Sequence, residues 1–181
     1  MPSGLYRNQQ SGQSHFVTFS CYRRQPFLND PEVCDLFLTC LEKMRRRFQL
    51  RVYGYVAMPE HVHLLLSEPG TGTLADAMHY LKLSFTKWLR WRRRESGSFW
   101  QKRYYDRNVR NAWEFSVKLR YLHRNPVKRG LVQKPEGWKR SSFRHYALRE
   151  MGVVEIESEW TGRDRECQRL GHPARVWLNP G

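Results

Sequence analysis

Two histidines one residue apart, His61 and His63, sit inside the apolar run YVAMPEHVHLLLS that spans residues 55–67. Alternate side chains of a strand share a face, so this spacing projects both imidazoles to one side and sends Val62, Leu64 and Leu66 to the other. Paired imidazoles on a rigid strand make a platform for a divalent metal and leave other coordination positions open. Taken alone, an H-x-H triplet is more often two ordinary histidines on a half-solvated strand. A second pair gives the first a purpose. Tyr121 and Asn125 are four residues apart, so in a helix they share a face about one turn from each other. If that face covers the histidines, Tyr121 could present its hydroxyl beside the metal and Asn125 could add a third ligand through its amide oxygen. A free phenol is a weak nucleophile at neutral pH. A cation gripping the non-bridging oxygens of a phosphodiester makes the phosphorus more electrophilic. The implied chemistry is phosphodiester cleavage by tyrosine, leaving a 5′-phosphotyrosine and a free 3′-hydroxyl that can later attack and rejoin a strand.

Plainer readings stand beside these. Tyr121 also suits a core tyrosine with its hydroxyl at the rim, and Asn125 a helix-ending residue before Pro126. His123, two residues from Tyr121, points to another side of the helix. Tyr104 and Tyr105 compete as nucleophiles, but their alternating segment beside Phe99 and Trp100 favours packing or base stacking.

Charge narrows the substrate. Lys plus Arg outnumber Asp plus Glu by 32 to 17 in 181 residues, a net charge of +15. Residues 82–129 hold 15 basic and 3 acidic residues, laced with Trp88, Trp91, Phe99, Trp100, Tyr104 and Tyr105. Interleaved rings and cations suit single strands, whose bases stack while their phosphates meet Arg and Lys. The cations expected to meet DNA are Lys82, Lys87, Arg90, Arg92, Arg93, Arg94, Lys102, Arg103, Arg107, Arg110, Arg124 and Lys128. No long apolar run or lipidation signal supports a membrane. From Glu150 to Glu166 the balance reverses, with 6 acidic and 2 basic residues that could compete with DNA for the basic face. The four cysteines show neither C-x-x-C nor zinc-like spacing, and the N-terminal residues lack the apolar core of a secretion signal. A reducing cytoplasm is the expected compartment.

The elements that would position these groups follow from periodicity. Residues 14–22 alternate as a strand. Asp30-Pro31 caps a helix with apolar positions from Val33 to Phe48. Residues 50–58 and 61–67 read as strands joined through Pro59-Glu60. Thr73 and Asp76 open a second helix with the stripe Leu74, Ala77, Leu81, Phe85, Trp88 and Leu89. Residues 102–109 fit a fourth strand. The order is β-α-β-β-α-β, an α+β, ferredoxin-like antiparallel sheet with both helices on one face. The His pair then falls on a central strand, facing the bare side. Asn111 and Glu114 open a third, added helix through Trp113, Val117, Tyr121 and Leu122, expected to end near Asn125 because Pro126 follows. A single domain over 1–145 and an acidic, mostly irregular tail over 146–181 are expected.

Three segments in this order, YVAMPEHVHLLL, FWQKRYYDRNVRN and LRYLHRNPVKRGLV, resemble the REP-associated tyrosine transposases, relatives of the single-tyrosine HUH transposases of small bacterial insertion sequences. The resemblance runs from about Ser14 to His145. It implies an endonuclease and strand transferase specific for single-stranded or hairpin DNA that needs Mg2+ or Mn2+. By the same resemblance His61 and His63 are metal ligands and Tyr121 is the nucleophile. Asn125 holds the third-ligand position where many insertion-sequence relatives have Gln. Such proteins act on repetitive extragenic palindromes, binding a hairpin and a short tetranucleotide at its foot; a monomer is favoured here, with a dimer the alternative. Two other readings differ in kind: a hairpin-binding regulator without catalysis, and a phosphodiester hydrolase with water as nucleophile.

Overall fold

The computed structural model describes residues 12–94 and 96–170. Residues 1–11, Glu95 and 171–181, with the expected irregular stretch around Pro173 and Pro180, lie outside them. Four strands form, β1 (Ser14–Ser20), β2 (Val52–Ala57), β3 (His61–Leu66) and β4 (Tyr105–Val109). Five α-helices accompany them: α1 (Pro31–Arg47), α2 (Leu74–Arg93), α3 (Ala112–Lys128), α4 (Phe143–Leu148) and α5 (Glu159–Arg169). The expected caps are in place. Asp30 accepts from the amides of Glu32 and Val33, and Thr73 and Asp76 cap α2 reciprocally. The Asn111 side chain accepts from the Glu114 amide at 2.8 Å. Each satisfies amides that a helix start leaves without an internal partner.

The strands pair antiparallel in the order β2-β3-β1-β4, which puts β1 and β3 at the centre of a ferredoxin-like sheet. On one face Val17, Phe19, Val62, Leu64 and Leu66 join Phe37, Leu41 and Met44 of α1 and Leu81 and Phe85 of α2 in the main core. On the other, Phe16, Val56, Met58 and Leu65 pack against Leu122 of α3, with Phe115 and Leu119 beside them. The face that α1 and α2 leave bare is therefore roofed by α3.

That roof sits close. A Cβ on Gly54 would lie 2.7 Å from Cδ1 of Leu119 and 3.4 Å from Cδ2 of Leu122. Gly54→Val should push α3 off the sheet, costing about 1–3 kcal/mol through overpacking. A thermal melt checks this.

Three local expectations differ from the structure. β4 begins at Tyr105 rather than at residue 102, because Trp100 turns into the core and pairs with Cys21 first. α3 runs through Pro126 to Lys128 instead of stopping near Asn125. A proline in the last turn forfeits one amide donor, while the amides of Arg129 and Leu131 still bond the carbonyls of Asn125 and Pro126. The C-terminal stretch expected to be mostly irregular carries α4 and α5 and lies along the outer edge of β2. There Ala57 donates to the Arg140 carbonyl, Ser142 to Tyr55 and Glu157 to Val52, at 2.8–3.0 Å. Val154 and Ile156 are buried in the α1/α2 core. Three acids of this stretch have arginine partners: Glu155 pairs with Arg45 at 2.6 Å, Glu150 with Arg144 at 2.5 Å and Glu157 with Arg165.

Candidate active site

Pairing of β1 with β3 sets Thr18 opposite His63, and the turn into β3 sets Glu60 beside His61. The Glu60 carboxylate lies 3.1 Å from Nδ1 of His61. A carboxylate only accepts, so this nitrogen carries the proton and the lone pair of His61 stays on Nε2. Arg129 donates to the same oxygen of Glu60 at 2.8 Å. Burial opposes the charge of Glu60, yet His61, its own backbone amide and Arg129 keep its carboxyl below the ordinary range. Thr18 Oγ1 stands 2.7 Å from Nδ1 of His63 and can accept its proton in the same way. Both Nε2 atoms then face each other with lone pairs, 3.0 Å apart.

Two lone pairs at that distance repel unless a proton or a cation lies between them. Asn125 approaches from α3, its Nδ2 donating to Nε2 of His63 at 3.0 Å. Turned over, the same amide presents Oδ1, a hard-cation ligand. Among the described residues no three His, Cys, Asp or Glu side chains gather as a metal cage. The donor set here is two imidazoles and an amide, too few to close a structural site and suited to a divalent cation that keeps open positions. Burial, with His61 and Lys118 adding to it, lowers the His63 pKa to about 3. Burial likewise lowers that of His61, against the pull of Glu60. Both rings are neutral at pH 7, the form that binds metal.

Tyr121 borders this cluster. Its ring is edge-on to that of His63 at 5.4 Å between centroids and 6.0 Å from Phe16, which itself stacks on His63. The tyrosine is 40 % exposed, while His61, His63 and Asn125 are each 6 % exposed. The nucleophile candidate is thus open to substrate and the ligand candidates are walled in. Tyr105 pairs with Thr18 and shares the face, but β4 lies two strands from β3, about 10 Å away. Tyr104 is half-buried against the main core.

The structure brings together the four residues expected to do chemistry and divides the cations expected to bind DNA. Lys87 and Arg92 are exposed on α2, and Arg94 at its C-terminal cap, across the sheet from the histidines. Lys102 and Arg103 are exposed before β4, Arg110 is exposed between β4 and α3, and Arg124 and Lys128 are exposed on α3 near Tyr121. Others have structural partners. Arg93 reaches Asp30 at 2.6 Å, Arg107 reaches Glu114 at 2.8 Å and Arg90 donates to the Gly97 carbonyl. Lys82 donates to the Gln101 carbonyl, and burial pulls its pKa down to about 8. Sequence reasoning missed Thr18, Glu60, Phe16, Lys118 and Arg129. A strand-pairing argument could have found Thr18, because it sits on the same face of β1 as Phe16.

His123 faces away from the site, its Nε2 2.8 Å from Ser142 Oγ. Burial, aided by His145, depresses its pKa to about 4. A histidine whose folded pKa is lowered stabilises the fold above its unfolded value of about 6.5, and that stability is lost as pH falls toward 4. The loss attributable to this residue is about 3 kcal/mol at most. Denaturant melts from pH 7 to pH 4 should show it, and His123→Gln, neutral throughout, should flatten the decline.

The chain is similar to several known proteins. Residues 8–125 match the family described as transposase, IS200-like. A REP-associated tyrosine transposase of Escherichia coli K12 is 26% identical over 121 residues, covering 66% of this chain and 68% of its own. A Haemophilus influenzae protein provisionally given the same name is 28% identical over 153 residues, covering 78% of this chain and 85% of its own. A solved structure of a REP-associated tyrosine transposase bound to a REP hairpin shares the fold, with a TM-score of 0.70 at 23% identity, over 86% of this chain and 92% of that one.

Proposed function

Since the chain belongs to the IS200-like transposase family, we propose that it cuts and rejoins single-stranded DNA beside a hairpin, with Tyr121 as nucleophile. The observation that carries this is the Tyr121 ring standing 5.4 Å from the His63 ring, whose Nε2 faces that of His61 at 3.0 Å. His61, His63 and Asn125 would hold Mg2+ or Mn2+, which when bound draws charge from the non-bridging oxygens of the scissile phosphate. Thr18 and Glu60 fix the two imidazoles so that both Nε2 atoms point inward. The Tyr121 oxygen attacks phosphorus as the bond to the 3′-oxygen breaks; the phenolic proton passes to solvent and the departing 3′-oxygen takes a proton from solvent. The products are a 5′-phosphotyrosine and a 3′-hydroxyl; attack by a 3′-hydroxyl on that linkage reverses the step and joins a strand. Hairpin DNA is the proposed partner of a monomer, in keeping with what the solved relative binds.

The test is incubation of the full chain with Mn2+ and a library of hairpin oligonucleotides carrying single-stranded flanks. A protein–DNA adduct that survives denaturation and maps to the peptide bearing Tyr121 is the expected result. Cleavage without an adduct would point to water as nucleophile. A hairpin complex with no cleavage at all would make the protein a regulator.

A further inference from the structure

Trp113 is 75 % exposed, on the same helix as the nucleophile candidate. A large ring left in water needs an explanation that the fold does not supply. The other described tryptophans divide plainly. Trp100 is in the core, Trp138 donates to the Ala57 carbonyl, Trp160 stacks on His145 and Trp88 carries the Lys43 ammonium at 3.8 Å. Trp91 is exposed too, but on α2, across the sheet from the histidines. Trp113, Val117 and Tyr121 follow at intervals of four residues, a slowly drifting stripe along the outer side of α3. Val117 and Tyr121 are each 40 % exposed. Two turns, about 12 Å, separate the ends of the stripe.

The charge beside the stripe has one sign. Arg120, Arg124 and Lys128 are exposed on the outer side of α3, with Arg110 just before it. The one carboxylate of the helix, Glu114, is buried, bound to Arg107 and to the Arg110 amide. A flat apolar ring among cations, its one neighbouring carboxylate already held by Arg107, matches unpaired bases on a phosphate chain better than it matches a protein surface, which would need apolar area around the ring.

We propose that the outer face of α3 is a stacking track for the single strand that flanks the scissile phosphate, with a base lying on the Trp113 indole. The proposal rests on the reading of Tyr121 as nucleophile only for where the strand is going. Trp113 is a positioning residue: it sets which stretch of strand reaches Tyr121, and takes no part in bond making.

Binding of the full chain is measured by fluorescence anisotropy with two labelled probes, a hairpin with a single-stranded flank and the same hairpin with none. Trp113→Ala should weaken binding of the flanked probe roughly 5- to 100-fold, the span measured for removal of one stacking ring. Trp113→Phe should restore most of it, Trp113→Leu should not, and binding of the unflanked hairpin should be unchanged. Thermal midpoints of all three variants should equal that of the parent chain, because the ring is mostly in water. Equal weakening on both probes, or a leucine variant that binds as tightly as the phenylalanine one, overturns the track. An adduct that never forms while the flank-specific loss remains would fault the reading of Tyr121 and leave the track standing.

Discussion

Tyr121→Phe is expected to abolish the covalent protein–DNA adduct and to cut strand cleavage by more than about 10^4-fold, the scale on which removal of a nucleophile acts. Hairpin affinity should stay within about twofold. The substitution deletes one oxygen and keeps the ring, so the edge contacts with Phe16 and His63 survive. The fold should not register the change, because the side chain is already 40 % exposed. The two measurements are a denaturing gel for the adduct and a mobility shift for the complex. An adduct that persists in the variant would transfer the role to another tyrosine, with Tyr105 first because it shares the sheet face.

The second large effect is on metal use. His63→Ala should lower cleavage at least about a thousandfold and remove Mn2+ binding measured by calorimetry, with no rescue at higher Mn2+. Two consequences of the geometry sharpen this. The variant also removes the ring on which Phe16 stacks, so His63→Gln, which keeps more volume, separates lost ligation from lost packing. Thr18 touches only the outer nitrogen of the same ring. Thr18→Val should therefore cost less, about 10- to 100-fold, the range expected for a group that orients a ligand. DNA affinity without metal should be the same in all three. If Thr18→Val proved as damaging as His63→Ala, the hydroxyl would have to do more than hold a tautomer.

Much of the scaffold could be read from the chain because the signals are local. Alternation marked β1 and β3, a 3.6-residue repeat marked α1 to α3, and Asp30, Thr73 and Asn111 announced helix starts by hydrogen bonds that span only three residues. The four residues proposed for chemistry were visible for the same reason. His61 and His63 share one strand, Tyr121 and Asn125 share one helix, and only the meeting of the two elements was left to the fold. What escaped was non-local. Thr18 lies 45 positions before His63 and becomes its partner only through strand register. Glu60 was adjacent to His61 but read as half of a turn. The basic block looked continuous in sequence, yet α2 and α3 lie on opposite faces of the sheet, so it cannot all line one strand of DNA. Val154 and Ile156, two apolar residues among six acids, gave too little pattern to reveal that they enter the core.

The lining that residues 140–142 and 156–157 give β2 has a consequence for how the protein behaves in company. An unguarded sheet margin is a template on which further chains assemble. Here the stretch from residue 140 to residue 157 acts as a selvedge, stopping the weave at β2. A version shortened to the residues around the histidines would retain its chemistry on paper and be prone to precipitate, so shedding this border would trade a monodisperse solution for aggregates.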